Sequence, residues 1–273
     1  MKNEVLVIQF PGVNCEYETV RVLEAVGLTG RIVRWNIEAD ALRDAAAIVI
    51  PGGWSYQDRI RAGVVAAKDK IMDAVVEAAE RGVPVMGICN GAQILVESGA
   101  VTGFRPGGID LSLAPNDMPD RDGYLCRWVR LKKGPASCIF TEFFNDWDTD
   151  SGTVPIPMAH GEGRFVTMSE DTAAHLERGD SVAVNYATID GEVARDFPEN
   201  PNGSMLSIAG VTNRAGNVLA IMPHPERASW LHQVSPGAGG VWAERRLAAG
   251  TKDIYRPGPG LGFFESLRKG LSL

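Results

Sequence analysis

Short apolar runs alternate with stretches whose apolar positions recur every three to four residues through the first third of the chain. Val5–Ile8, Arg31–Trp35, Ala46–Ile50 and Val83–Ile88 read as strands. Glu16–Val26 and Lys68–Arg81 read as helices, the second with Ile71, Ala74, Val75 and Ala78 on one face. Strands spaced by helices predict a mostly parallel sheet with helices on both faces, an α/β fold. Further on, Tyr124–Leu131 and Ser181–Thr188 read as strands of a more antiparallel region, and Met205–Val211 and Val218–Met222 return to buried-strand character. Pro106–Asp122 and Asp196–Ser204 carry turn chemistry and predict loops. A short helical piece near Val241–Ala249 sits in a stretch, Ser235–Gly262, dense in glycine and proline. No internal repeat or linker divides the chain. The expectation is one domain over residues 1–273, with a C-terminal extension from about 230 to 273.

Composition narrows the class. The chain has 273 residues, 45% hydrophobic and 22% charged, long enough to bury a core without disulfides or metals. A formal net charge of -7, with the basic pairs Lys132–Lys133 and Arg245–Arg246 standing alone, gives no nucleic-acid or anionic-membrane signature. The four cysteines form no CxxC pair and no cysteine–histidine spacing of zinc-site type, which predicts a reducing compartment and no metal. The opening MKNEVLVIQFPG lacks a basic leader region and breaks at Pro11. No apolar run approaches a membrane span, so the expected location is cytoplasmic.

The chemistry begins at VMGICNGAQIL, residues 85–95. An apolar strand runs into Cys89, with Gly87 and Gly91 on either side and a helical pattern after it. That is the outline of a nucleophile elbow, in which a tight turn exposes the side chain at a helix N-terminus. A small core cysteine fits the same pattern. A thiol nucleophile needs a base, and of His160, His175, His224 and His232 the third stands out. His224 follows a buried strand in AIMPHPERA, with Glu226 two residues on to orient its ring. Gly52 and Gly53 end the third strand, where backbone N–H groups can face an oxyanion or simply close a turn. Cys126 and Cys138 read as structural.

PGGWSYQDRIRAG (51–63), GICNGAQIL (87–95), MAHGEGRF (158–165), NPNGS (200–204) and GNVLAIMPHPERA (216–228) together resemble class I glutamine amidotransferases. Within that family the likeness is to the glutaminase subunits of phosphoribosylformylglycinamidine synthases, whose opening loop PGVNCE (11–16) also resembles. The resemblance implies a flavodoxin-like amidotransferase fold with Cys89 as nucleophile, His224 as general base and acid, and Glu226 as its orienting carboxylate. It implies an oxyanion loop at Gly52 and Gly53 with the Asn90 N–H as second donor, and Gln93 in contact with bound glutamine. The family's His-Gly-Glu-Gly stretch matches His160–Gly163, implied to line the substrate or partner face, and His160 itself receives a fixed surface or interface role rather than a catalytic one. The implied activity is hydrolysis of L-glutamine through a cysteinyl thioester, with ammonia delivered to a separate synthetase subunit. That partner uses ATP and magnesium, and a small bridging subunit joins the complex; this chain carries no cofactor and no GxxxxGK[ST] loop.

Two departures stand out. Trp54 and Gln57 replace the family's Phe and Gly, and the second puts in question how closely that loop approaches a partner. The stretch from about Trp230 to Gly260 is longer than in compact bacterial forms. Two alternatives remain at this level: a glutaminase subunit serving a different acceptor, and a non-catalytic interaction protein on a related fold.

Overall fold

The computed structural model describes residues 3–37, 39–101, 109–147, 149 and 151–273. Strands β1 (Glu4–Gln9), β2 (Thr29–Arg34), β3 (Ala47–Ile50) and β4 (Val85–Ile88) form as the apolar runs predict, and β11 (Val218–Ile221) pairs in parallel with β4. With β6 (Leu125–Lys133), β7 (Thr153–His160), β9 (Val182–Ala187) and β10 (Ile208–Thr212) they make a nine-stranded sheet, in the order β2-β1-β3-β4-β11-β10-β9-β6-β7. The β10, β9, β6 and β7 pairings are antiparallel, so only β10 and β6 run against the other strands of this sheet.

Helices α1 (Glu16–Ala25) and α2 (Lys70–Glu80) bury one face each, Val22 and Leu23 on the first, Ile71, Met72, Val75 and Ala78 on the second. The steps from β1 to β2 and from β3 to β4 go in opposite directions across the sheet. Right-handed crossovers therefore put α1 and α2 on opposite faces. The strand order reverses between β1 and β3, the switch point at which open α/β sheets form a crevice. Helix α3 (Asn90–Ser98) is buried from Asn90 through Glu97, as expected of a helix inside a core.

The structure adds elements that the apolar pattern does not single out. The sequence-predicted loop starting at Pro106 lies outside the described residues as far as Gly108. Beyond it, Ser112–Pro115 forms β5, paired with β8 (Glu162–Val166) in a small second sheet. Met205–Ser207 is a helical turn ahead of β10 rather than strand. Helix α4 (Glu170–Glu177) is capped by Ser169, whose Oγ accepts from Thr172 N–H at 3.2 Å. The predicted helical piece after Ser235 is α5 (Gly240–Ala248), whose Trp242 joins Leu231 and Val234 in a satellite apolar cluster. Helix α6 (Leu261–Gly270) sends Phe263, Phe264 and Leu267 into the main core. Cys138 is buried, whereas Cys126 is exposed on β6 and has no packing role to play. Among the described residues no helix is long and apolar enough to cross a membrane.

One contact sets the position of α3 on the sheet. A Cβ on Gly91 would lie 1.9 Å from the Ile50 carbonyl oxygen, and one on Gly87 would lie 2.4 Å from the Gly91 oxygen. The two glycines let the elbow after β4 touch the end of β3 directly. Gly91→Ala should therefore force the helix off the sheet and cost about 1–3 kcal/mol, read as a lower urea midpoint at unchanged m-value; an unchanged midpoint would contradict this packing.

Candidate active site

The carboxyl ends of β1, β3, β4, β7 and β11 deliver side chains to one cleft of about 140 Å³, bordered by Asn14, Cys15, Gly53, Asp58, Cys89, Gln93, His160, Glu162, His224 and Arg227 among others. Cys89 directly precedes α3 with φ 52° and ψ -107°, an unusual backbone for a side-chain-bearing residue. The turn sets Cys89 at the α3 N-terminus, where free N–H groups can meet developing negative charge. In this geometry Sγ sits 3.6 Å from the Ala159 carbonyl of β7. The antiparallel half of the sheet curls so that β7 returns to the segment after β11, and His224 N–H donates to the Pro157 carbonyl at 2.8 Å.

His224 Nδ1 lies 2.6 Å from Glu226 Oε1, and both residues are buried. That contact fixes the ring and turns Nε2 toward the thiols. Burial pushes the imidazole pKa down; the Glu226 carboxylate, Cys89 and Cys15 outweigh it and hold it well above the usual range. Gly52 packs directly on this pair. A Cβ there would meet His224 Cε1 at 2.8 Å, Cys15 Sγ at 3.2 Å and Cys89 Cβ at 3.5 Å, so three side chains converge on a position only glycine can hold.

The residues singled out from sequence divide in two. Gly53, Cys89, Gln93 and His224 border the cleft, and Gly52, Asn90 and Glu226 stand behind it. The amide of Gln93 is already engaged: Asn90 Nδ2 donates to its Oε1 at 2.9 Å, and its Nε2 donates to the Glu162 carbonyl at 2.5 Å. Asn90 also accepts from Ser55 N–H at 2.9 Å and donates to Asp58 Oδ1 at 3.2 Å, tying the loop after β3 to α3. His160 is not a surface residue. It is buried with Nδ1 3.1 Å from Asn116 Oδ1, and burial together with the charge of His224 pushes its pKa down to about 3, so it stays neutral.

Sequence reasoning left Cys15, Asp58 and Arg227 without roles; Glu162 falls in the His160–Gly163 stretch expected to line the substrate or partner face, and it borders the cleft. Cys15 lies against His224 and receives Arg227 Nη2 at 3.0 Å, while Arg227 Nε donates to Glu18 at 2.9 Å. Burial raises the Cys15 pKa, partly offset by His224, so it is held as a thiol. Its position after β1, a strand parallel to β3, was the available signal. Ligand atoms of Cys15, His224 and Glu226 lie within 4.8 Å of one another, but a cation there would face Arg227 and compete for the His224–Glu226 contact. Trp54 stacks on Tyr124 at the cleft edge, centroids 6.3 Å apart, so the aromatic body expected at that position is put to use.

Tyr56, Gln57 and Asp58 take φ of 53°, 61° and 50°, three consecutive left-handed residues. The glycine that the family resemblance implies at 57 thus answers to backbone conformation. Gln57 adopts it nonetheless, its Oε1 accepting from Arg59 at 3.0 Å on the surface. The turn carries Asp58 into the cleft, where burial and the nearby Glu162 raise its pKa to about 6.

Residues 2–259 match the CobB/CobQ-like glutamine amidotransferase domain. The phosphoribosylformylglycinamidine synthase subunit PurQ of Methanothrix thermoacetophila is 42% identical over 237 residues, 84% of this chain and 88% of that one. The protein of the same name from Pyrococcus horikoshii is 39% identical over 223 residues, 82% of this chain and 88% of that one. Among solved structures, a chain of PurLQS from Thermotoga maritima superposes with a TM-score of 0.69 at 32% identity, covering 99% of this chain and 100% of that chain.

Two outcomes follow from the loop. Gln57→Gly should raise stability by about 0.5–1 kcal/mol in urea unfolding, because the left-handed strain disappears; a loss would show that the Gln57 side chain outweighs it. Asp58 has a folded pKa of about 6 against roughly 3.9 unfolded. The folded state thus holds its proton more tightly, and Asp58 opposes folding increasingly as pH rises through that window. Asp58→Asn should raise Tm at pH 7.5 and lose that advantage as the pH falls toward 4; an advantage independent of pH would contradict the assignment.

Proposed function

We infer function from one premise: the chain belongs to the CobB/CobQ-like glutamine amidotransferase family, matched over residues 2–259. It is the glutaminase subunit of a phosphoribosylformylglycinamidine synthase, an enzyme of purine biosynthesis. The observation that carries a chemical mechanism is Cys89 on its strained elbow sharing a cleft with His224, which is backed at 2.6 Å by Glu226.

In the proposed reaction, the Cys89 thiolate attacks the side-chain amide carbon of L-glutamine. Backbone N–H groups of Gly53 and Asn90 hold the oxyanion, with Gly52 as the spacer that lets the loop lie against His224. The His224 imidazolium, stabilised by Glu226, gives its proton to the amide nitrogen. The carbon–nitrogen bond breaks, ammonia leaves and a γ-glutamyl thioester remains. Water then attacks the thioester carbon while His224 takes its proton, releasing glutamate and restoring the thiolate. Cys15, held as a thiol beside Arg227, is not the nucleophile in this scheme. The proposed recipient of ammonia is an ATP- and magnesium-dependent synthetase subunit, with a small bridging subunit completing the assembly. Release of free ammonia is wasteful, so coupling predicts low glutaminase activity for the isolated chain.

The test is glutamate formation from glutamine, with and without the synthetase assembly, ATP and formylglycinamide ribonucleotide. Wild type should be strongly stimulated by the full mixture, and Cys89→Ala should be silent throughout. Glu226→Gln should lower kcat by roughly 10²–10⁴-fold, because the imidazolium loses its counter-charge. Wild-type activity indifferent to the mixture would move the chain to another acceptor. Silence of the wild type in a confirmed folded complex would favour a non-catalytic role.

A further inference from the structure

The mechanism leaves one buried nucleophile unused. Cys15 borders the same cleft as Cys89, and both are free thiols. Cys15 directly precedes α1 and Cys89 directly precedes α3, so distant parts of the chain bring them together, with Gly52 against both. Cys15 N–H donates to the Gly52 carbonyl at 3.2 Å. The point that a Gly52 Cβ would occupy lies 3.2 Å from Cys15 Sγ and 3.5 Å from Cys89 Cβ. Any side chain at position 52 would stand between the two cysteines, and glycine puts no atom there. The His224 imidazole reaches the same point, with Cε1 at 2.8 Å, and both thiols bear on its charge. Cys15 Sγ donates to Asn14 Oδ1 at 3.2 Å and receives Arg227 Nη2 at 3.0 Å.

A thiolate able to attack an amide also reacts with peroxide. The sulfenic acid that results is recoverable while a second thiol can capture it, whereas oxidation onward to the sulfinic acid is permanent. Cys15 has the properties of a capturing thiol. Burial keeps it protonated at rest, and His224 and Arg227 stand ready to stabilise its thiolate when that forms. We propose that Cys15 is the resolving thiol of Cys89: under hydrogen peroxide the two form an intramolecular disulfide that switches glutamine hydrolysis off reversibly. In the first step the Cys89 thiolate attacks a peroxide oxygen. The S–O bond forms, the O–O bond breaks, and the departing hydroxide takes a proton from His224 and leaves as water. In the second, Cys15 gives its proton to solvent through the cleft and its sulfur attacks the Cys89 sulfur. The S–S bond forms, the S–O bond breaks, and the second hydroxide is protonated and leaves as water. Two thiols lose two electrons, and one peroxide becomes two waters. A dithiol returns those electrons by exchange and restores both cysteines.

The proposal rests on the glutaminase reading above, in which Cys89 is the nucleophile, and its test separates the two. The assembled complex, carrying wild type, Cys15→Ser or Cys15→Ala as its glutaminase subunit, is treated with hydrogen peroxide, quenched with catalase and divided. One part is assayed for glutamate formation before and after dithiothreitol, each protein against its own untreated rate. The other is blocked with iodoacetamide and digested without reductant for peptide mapping. Mapping is needed because Cys126 is exposed and open to oxidation of its own. Wild type should lose activity, yield a peptide pair joined from Cys15 to Cys89, and regain activity with dithiothreitol as that pair disappears. Both variants should lose activity without the pair, accumulate sulfinic acid on Cys89 and fail to recover. Recovery in the variants equal to wild type would overturn the proposal. So would a wild type whose Cys89 reaches the sulfinic acid without the cross-link, or pairs with any other cysteine; the wild-type map decides this even if a variant does not fold. An untreated wild-type complex that makes no glutamate would sink the functional reading instead, and the mapped peptides would still decide the pairing.

Discussion

The close contact between Gly91 and the Ile50 carbonyl governs the rest of the site. It seats the first turn of α3 against the end of β3, which fixes where Cys89 turns and where the α3 N–H groups point. The same contact brings the loop after β3 within reach of Asn90, whose side chain then holds Ser55 and Asp58. On the other side of the elbow, Gly52 lies against His224, Cys15 and Cys89 at once. A methyl group at either glycine would separate elements whose separation the chemistry cannot tolerate, because misplacing reacting groups by about an ångström is enough to cost orders of magnitude in rate.

Around that contact the charges are sorted by sign. The imidazole is held cationic by a buried carboxylate, and Arg227 bridges Glu18 and the Cys15 thiol on the same side. Asp58 and Glu162 border the same cleft, and among the described residues neither forms an ion pair. Such an arrangement costs stability in the empty protein. The left-handed turn from Tyr56 to Asp58 and the strained Cys89 elbow belong to the same pattern, in which backbone strain gathers where groups must be held for a ligand.

Much of the parallel half was legible in the sequence. Buried parallel strands are short continuous apolar runs, and β1, β3, β4 and β11 read that way without ambiguity. The candidate dyad was legible too, because each member sits beside a strand end with glycine or proline punctuation. β5 was hidden inside a turn-rich segment, since a two-stranded sheet at the surface needs little apolar sequence. α6 was hidden behind a glycine-rich stretch, although its phenylalanines are core residues. His160 was misplaced at the surface because nothing local announces that Asn116 will cover it.

By itself the sequence determined the strand–helix alternation, the order of the chemical groups and the family of the chain, since periodicity and punctuated motifs are local properties. Tertiary structure alone decided that β7 curls back against His224, that Cys15 shares the cleft with Cys89, and that Asp58 and Glu162 border it too. Those facts depend on contacts between segments far apart in the chain. No local pattern encodes them, because sheet curl and side-chain direction are settled only when the whole core closes.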